Sequence, residues 1–552
     1  MTRAPCLMIQ GTASGVGKSL LVTALCRIFS REGLSVAPFK AQNMSNNAAV
    51  TLRGGEMGRA QALQAQAAGL DPVEEMNPVL LKPLGDQRSE VVVLGRGRPE
   101  LARTPWRERK RVLEPVVLQA LESLRSRHDL VVVEGAGSPA EINLREGDVV
   151  NMGLARAAGI PVLLVADIDR GGAFAALYGT WALLEEEDRR HLRGFVLNRF
   201  RGDPALLHPA PRSLEERTGL PTLGVVPYVE HLLPEEDAAV LDRGRGGPDP
   251  EKSPPWELRD RHQGGKPAFP EESGDAELWI GAIHLPHVSN FDDLDPLKSE
   301  RGVRVFWVRR PDEAVHVHAI VIPGSRNTLA DLGWLHHTGL AEALRRAAGR
   351  GVPVVGLCGG FQMLGVEVSD PSNVESGGRE KGLGLLSVRT EHLREKSTAR
   401  SRGRILPGSH LFEGLKGHIV MGYEIHHGRT GPVPEKSLPV DLRAPEVDWI
   451  GSEGRPLGRA RGQVWGTYLH GIFTDDRVRD HWLREVAGVV RLGGPTPSGD
   501  TSHTEARDGS DRLPPSAGWH RRLEAEIDRV ADKVAEGLDP DRLLHLARDG
   551  AP

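Results

Sequence analysis

Cys6-Leu-Met-Ile-Gln-Gly-Thr-Ala-Ser-Gly-Val-Gly-Lys-Ser19 is an apolar run that breaks into a glycine-rich turn and then into a helical pattern. This feature constrains the fold more than any other. Backbone N–H groups converge on a phosphate only where a strand hands over to a helix N-terminus, so the turn needs an α/β sheet around it. Gly11, Gly15 and Gly17 let the backbone turn. Lys18 would reach the outer phosphates of a nucleoside triphosphate, and the Ser19 hydroxyl would sit on Mg²⁺. The usual spacing puts a glycine five residues before Gly17. Here that position is Thr12, and the glycine comes one residue earlier, at Gly11. Gly11, Thr12, Gly15, Gly17, Lys18 and Ser19 are the expected phosphate-binding set.

The first 230 or so residues alternate short apolar runs with helical patterns. Strands are expected at Cys6–Gln10, Ser35–Phe39, Leu130–Glu134, Pro161–Ala166, Gly194–Asn198 and Leu223–Val226, with helices such as Lys18–Arg31 and Met57–Gly69 between them. Several of these runs lack polar alternation, as strands buried on both faces do. That is a doubly wound parallel sheet. Ligands of such sheets bind off the carboxyl ends of the strands. Glu134 closes the run Val131-Val-Val-Glu134 at such an end and is the expected second metal ligand. Asn198 ends another run with an amide where a base edge could be read.

A second α/β run begins at Leu278, with further strands expected at Val303–Val308, Ala319–Ile322, Pro353–Leu357 and Gln463–Leu469. Within it, Val354-Val-Gly-Leu-Cys-Gly-Gly-Phe-Gln-Met-Leu-Gly365 places Cys358 on a strand-to-helix turn. A helix N-terminus favours a thiolate, and the Gly359 backbone N–H is placed to donate to an oxyanion. The base must come from elsewhere in the chain. His470, at the end of Val464-Trp-Gly-Thr-Tyr-Leu-His470, needs only to meet the thiol in space. His426 and His427 are read as structural or substrate-facing, because no third ligand at a usual metal spacing accompanies them. The domain layout expected is 1–241, a linker or insertion at 242–275 rich in Gly, Pro and charge, 276–492, a flexible stretch at 493–515, and closing helices at 516–552.

Bulk properties exclude several classes. The net charge is −5 on 552 residues, with no dominant basic block, so nucleic-acid binding is not expected. No 18-residue apolar run predicts a membrane span, and no signal-peptide pattern opens the chain. Three cysteines, Cys6, Cys26 and Cys358, make no disulfide framework; a reducing, cytoplasmic setting is expected.

These residues carry a resemblance. Gly-Leu-Cys358-Gly-Gly-Phe-Gln with His470 resembles the class I, triad-type glutamine amidotransferases. The first turn resembles the dethiobiotin-synthetase-like branch of P-loop ligases, which carries the displaced glycine. Together with Lys40-Ala-Gln-Asn-Met-Ser45, Gly54-Gly-Glu-Met-Gly-Arg-Ala-Gln61, Met76-Asn-Pro-Val-Leu-Leu-Lys-Pro83, Glu134-Gly-Ala-Gly-Ser-Pro-Ala-Glu-Ile-Asn143, Asp167-Ile-Asp-Arg-Gly-Gly172 and Pro323-Gly-Ser-Arg-Asn-Thr328, the chain resembles the cobyric acid synthase family. The resemblance implies two doubly wound, mostly parallel α/β domains, a P-loop ligase and an amidotransferase. It implies ATP and Mg²⁺, L-glutamine or ammonia as nitrogen donor, and adenosylcobyrinic acid a,c-diamide as the corrinoid whose b, d, e and g carboxylates are amidated. Cys358 would form a glutamyl thioester with His470 as base, and Lys40 would join Lys18 on the phosphates. Triad-type enzymes carry an acid two residues after the histidine, where this chain has Ile472; what orients His470 stays open at this point. Two alternatives are a cobyrinic acid a,c-diamide synthase and a P-loop nucleotide switch, and the latter needs no reactive thiol.

Overall fold

The computed structural model describes residues 3–85, 88–234, 278–434, 442, 444–452, 454–491 and 518–550. The expected stretches 242–275 and 493–515 lie outside them. The chain forms two compact units, Met1–Glu236 with Arg521–Pro552, and Asp237–His520.

The first unit is built on β1 (Cys6–Gly11), β2 (Val36–Phe39), β3 (Leu130–Glu134), β4 (Val162–Asp167), β5 (Leu192–Phe200) and β6 (Thr222–Pro227). All six are parallel, in the order β6-β5-β4-β1-β3-β2. The sequence reason is direct. Every residue of β1, β2, β3 and β4 is buried, so these strands are apolar without alternation. Helix α1 (Lys18–Arg31) follows β1 and buries Leu21, Val22, Leu25, Ile28 and Phe29. The carboxyl ends of β1, β3 and β2 therefore lie side by side, and at or just beyond them stand Lys18, Glu134 and Lys40.

A small four-stranded sheet, Gln42–Met44, Val79–Gly85, Arg88–Val93 and Arg96–Gly97, has no counterpart among the expected elements. The helix expected at Met57–Gly69 forms as Arg59–Ala67, preceded by a short strand, Glu56–Gly58.

The second unit holds one 11-stranded sheet. Its parallel part is β7 (Leu278–Ile283), β8 (Val303–Val308), β9 (Ala319–Ile322), β10 (Val354–Leu357) and a fifth strand, Val464–Thr467. These are the five strands expected. The sheet then continues, mostly antiparallel, through Arg455–Arg461, Glu446–Ser452 and a long hairpin, Val388–Ile405 against Ile419–Pro432. "Mostly parallel" therefore holds for the half that carries the thiol and not for the extension. Val388–Ile405 is rich in charge and reads as surface, yet its ends alternate buried and exposed residues as a one-sided strand must.

Helix α2 (Thr328–His337) follows β9, and α3 (Gly359–Leu364) follows β10. The closing helices form as α4 (Trp519–Ala535) and α5 (Pro540–Asp549). Among the described residues no helix is long and apolar enough to cross a membrane.

Candidate active sites

The phosphate turn is held from several sides. Gly17 has φ of +96°, and a Cβ on it would stand 2.2 Å from Asn198 Nδ2. Only glycine fits there, because a side chain would be both strained and blocked. Lys18 is buried; its Nζ donates to the Ala13 carbonyl at 2.9 Å and the Gly137 carbonyl at 3.0 Å. Thr12 N–H donates to the Val165 carbonyl at 2.9 Å, so the residue standing in the usual glycine position ties the turn to β4.

Glu134, at the end of β3, is the hub of this site. Its Oε1 accepts from Ser19 Oγ at 2.8 Å and pairs with Lys40 Nζ at 2.8 Å; its Oε2 accepts from Gln64 Nε2 at 2.6 Å. Burial works to raise this carboxyl, but the Lys40 ammonium and the hydrogen bonds from Lys40, Gln64 and Ser19 outweigh it, holding the group below the usual carboxylate range. A hydroxyl and a carboxylate side by side are hard oxygen donors, the kind Mg²⁺ takes alongside phosphate oxygens and water. Ser19 and Glu134 fit that ion. Gln64 carries no signal of its own in the sequence; it is one of several buried residues on the short helix Arg59–Ala67.

Asn198 is less open than expected. Its Nδ2 donates to the Val16 carbonyl at 2.8 Å, bracing the phosphate turn. Its Oδ1 is buried without a hydrogen-bond partner among the described residues.

The thiol site is built on a strained elbow. Cys358 stands between β10 and α3 with φ of +52° and ψ of −104°, a conformation that costs a non-glycine residue on the order of 1–3 kcal/mol. Two clamps impose it. Cys358 N–H donates to the Thr467 carbonyl at 2.8 Å, and the first turn of α3 is pressed against the end of β9, where a Cβ on Gly360 would stand 2.0 Å from the Ile322 carbonyl oxygen. The elbow lifts the thiol off the sheet, as a nucleophile on a strand-to-helix turn requires. The thiol is buried and donates to the Ile425 carbonyl at 3.4 Å. Gly359 opens α3, and a Cβ there would stand 2.8 Å from Ser325 N. The Gly359 amide is thus at the helix N-terminus beside the thiol, with no room for a side chain over it.

His470 lies beside Cys358, near enough for the sulfur to act on its ionisation. Its Nδ1 donates to Asp293 Oδ2 at 2.7 Å, and the Gly471 N–H takes the other carboxylate oxygen, also at 2.7 Å. The ring lies on Tyr423, with centroids 5.0 Å apart and planes 14° from parallel. Burial of His470 opposes the imidazolium, but the charges and hydrogen bonds of Asp293 and Cys358 prevail and raise its pKa well above the ordinary histidine value. Asp293 therefore occupies the place left open at Ile472. It lies 177 positions before His470, so no local spacing could have pointed to it.

His426 and His427 bond to other groups. His426 stacks on Tyr468 at 3.8 Å and bonds the Gly428 carbonyl and Glu424; His427 Nδ1 meets the Leu393 carbonyl at 3.0 Å. Among the described residues no group of three or more His, Cys, Asp or Glu side chains is arranged to hold a metal ion.

Comparison with known proteins places both sites in a context. Residues 7–240 match the CobQ/CobB/MinD/ParA nucleotide-binding domain, and residues 279–478 match the CobB/CobQ-like glutamine amidotransferase domain. The chain is similar to the cobyric acid synthase of Pelotomaculum thermopropionicum, at 48% identity over 98% of this chain and 96% of that protein. It is 48% identical to the cobyric acid synthase of Deinococcus radiodurans, over 98% and 100% of the two chains. With that of Nocardia farcinica it shares 44% identity over 99% and 97%.

Proposed function

The chain belongs to the cobyric acid synthase family, and from that premise we propose that it amidates the b, d, e and g carboxylates of adenosylcobyrinic acid a,c-diamide, using ATP and nitrogen drawn from glutamine. The reading rests on one observation: an Asp293–His470 pair set beside Cys358, on a chain whose other unit gathers Lys18, Ser19, Lys40 and Glu134 around a phosphate turn.

In the second unit the Cys358 thiolate attacks the carboxamide carbon of glutamine. The Gly359 N–H stabilises the oxyanion, and His470 delivers a proton to the departing ammonia. Water then hydrolyses the glutamyl thioester, with His470 as base. Asp293 keeps the imidazole in the tautomer that turns Nε2 toward sulfur and favours the imidazolium.

In the first unit a substrate carboxylate attacks the γ-phosphorus of ATP, because a free carboxylate has no adequate leaving group for ammonia to displace. ADP leaves, ammonia attacks the acyl phosphate, and phosphate is released. Lys18 and Lys40 balance the charge on the transferring oxygens. Ser19 and Glu134 would hold the Mg²⁺, whose charge offsets that of the phosphates when it is bound.

The deciding experiment separates the half-reactions. Cys358→Ala should eliminate glutamine-dependent amidation and retain ATP-dependent amidation when ammonium is supplied at mildly alkaline pH. Mass spectrometry of the corrinoid reads the result, since each acid-to-amide conversion lowers the mass by about one dalton. Unchanged glutamine-dependent activity in this variant would remove Cys358 as nucleophile.

A further inference from the structure

Two adjacent residues of a regular strand face opposite sides of its sheet. Asn198 and Arg199, near the end of β5, do not. A Cβ on Gly17 would stand 2.2 Å from Asn198 Nδ2 and 4.0 Å from Arg199 Nε, so both side chains come to the same glycine of the phosphate turn. The backbone shows how. The register of β5 against β6 slips between Leu197 and Phe200, and Arg199 takes φ of +63°, in the left-handed region that a side chain enters only at a cost. An irregularity of this kind beside a site re-aims a side chain. Here it turns toward the phosphate turn an arginine that strict alternation would point away from it.

The guanidinium is held there by its edge. Its Nη1 donates to Asp167 Oδ2 at 2.8 Å. Asp167, buried at the end of β4, is itself fixed by the Asp169 N–H at 3.0 Å and shared with Arg170 at 3.1 Å. The Arg199 side chain keeps 32% of its surface exposed. Two positions on, Arg201 has the same arrangement with a ring added: its edge meets Asp169 at 3.1 Å, and its guanidinium carbon lies 3.4 Å from the centre of the Tyr228 ring. An arginine binds carboxylates through its in-plane N–H groups and rings through its faces. Arg199 has an aspartate on its edge, and among the described residues no ring lies on its face.

With ATP as the nucleotide of the first unit, the reading on which this inference rests, the triphosphate is served by Lys18, Lys40 and the turn amides. Asn198 commits its amide N–H to the Val16 carbonyl. The flat part of the nucleotide is left to its neighbour. We propose that the nucleobase of ATP stacks on the face of the Arg199 guanidinium, and that Asp167 is the positioning residue that fixes the plane. Arg199 thus acts on the base, while the lysines act on the phosphates.

The test uses the full chain with Mg²⁺ and titration calorimetry. It compares ATP with ribose 5-triphosphate, which has the phosphates and the sugar without the base. Arg199→Gly removes the side chain and suits the left-handed backbone, so folding is not at stake. Arg199→Lys keeps the charge and loses the plane. Both should weaken ATP about fivefold or more, while ribose 5-triphosphate stays within about twofold of wild type. Asp167→Asn should weaken ATP in the wild-type chain and add nothing in the Arg199→Gly chain. Unchanged ATP affinity in Arg199→Gly, wild-type affinity with lysine, or an equal loss for ribose 5-triphosphate would each overturn the proposal. So would an Asp167→Asn effect that persists without Arg199. A wild-type chain that binds neither ligand would instead bring down the ATP reading of the first unit itself.

Discussion

Asp293 commits both carboxylate oxygens, one to His470 and one to the Gly471 N–H. Replacing it with asparagine keeps the shape and removes the charge that favours imidazolium. Asp293→Asn should therefore lower kcat for glutamine hydrolysis by on the order of 10²–10⁴, with ammonia-dependent amidation preserved. The pH profile gives a separate reading. His470 is raised above the ordinary histidine value, so the charged pair is intact below that raised value and is lost as pH climbs through it. Without Asp293 the alkaline limb of glutaminase activity should move to lower pH; an unmoved limb would mean Asp293 does not set the charge of His470. Lys18→Ala belongs to the same scale. Losing a charge placed on the transferring phosphoryl group should cost on the order of several kcal/mol in the transition state, and amidation should disappear with glutamine and with ammonia alike. Full activity with either donor would take the phosphate turn out of the mechanism.

At the scale of elements, the seating of α3 on β9 decides whether the thiol is presented at all. Gly360→Ala would drive a Cβ to 2.0 Å from a backbone oxygen, which cannot turn aside. The substitution should destabilise the second unit by about 1–3 kcal/mol or more, and thermal melts should show it before any active-site group is touched. Beside this helix, Glu375 accepts from Thr328 N–H at the start of α2, and burial pushes its carboxyl up to about 8. A carboxyl that is raised on folding makes the fold less stable as pH rises from its ordinary value toward the folded one. Glu375→Gln, which keeps an acceptor for Thr328, should raise the melting temperature near pH 8 and change it little near pH 5. The reverse order would mean that the carboxylate stabilises α2 in its charged form.

At the scale of the whole molecule, the chain's end completes its beginning. Helix α4 buries Leu523, Ile527, Val530, Ala531 and Val534, and pairs with α1 through Arg27–Glu524 and through Arg31–Asp532 at 2.7 Å. Gly224 and Leu538 form a β-bridge beside β6, and α5 packs on β1. A chain ending at residue 518 should leave this apolar surface of the first unit bare, a loss of several kcal/mol at roughly 1.5–3 kcal/mol per large side chain. ATP-analogue binding should fall with it and return when residues 519–550 are co-expressed as a separate fragment. Binding that survives the truncation unchanged would make these helices dispensable to the nucleotide unit.

The phosphate turn, the elbow cysteine, the strand-end His470 and the parallel strands were legible because each is written in contiguous residues. Glycine, lysine and serine must follow a strand at fixed spacing to cradle phosphate, and a strand buried on both faces must be apolar throughout. Glu134 was legible as a strand-end carboxylate and Lys40 only through the family resemblance; that Lys40 and Gln64 both bind Glu134 was not legible. The tertiary structure alone decided that Asp293 serves His470, that Asn198 braces the turn at Val16, and that the charged run Val388–Ile405 is the backbone of a sheet extension. The reason is the same in each case. A hydrogen bond between residues far apart in the chain leaves no periodicity in either segment, so its partners become visible only when the fold closes the distance between them.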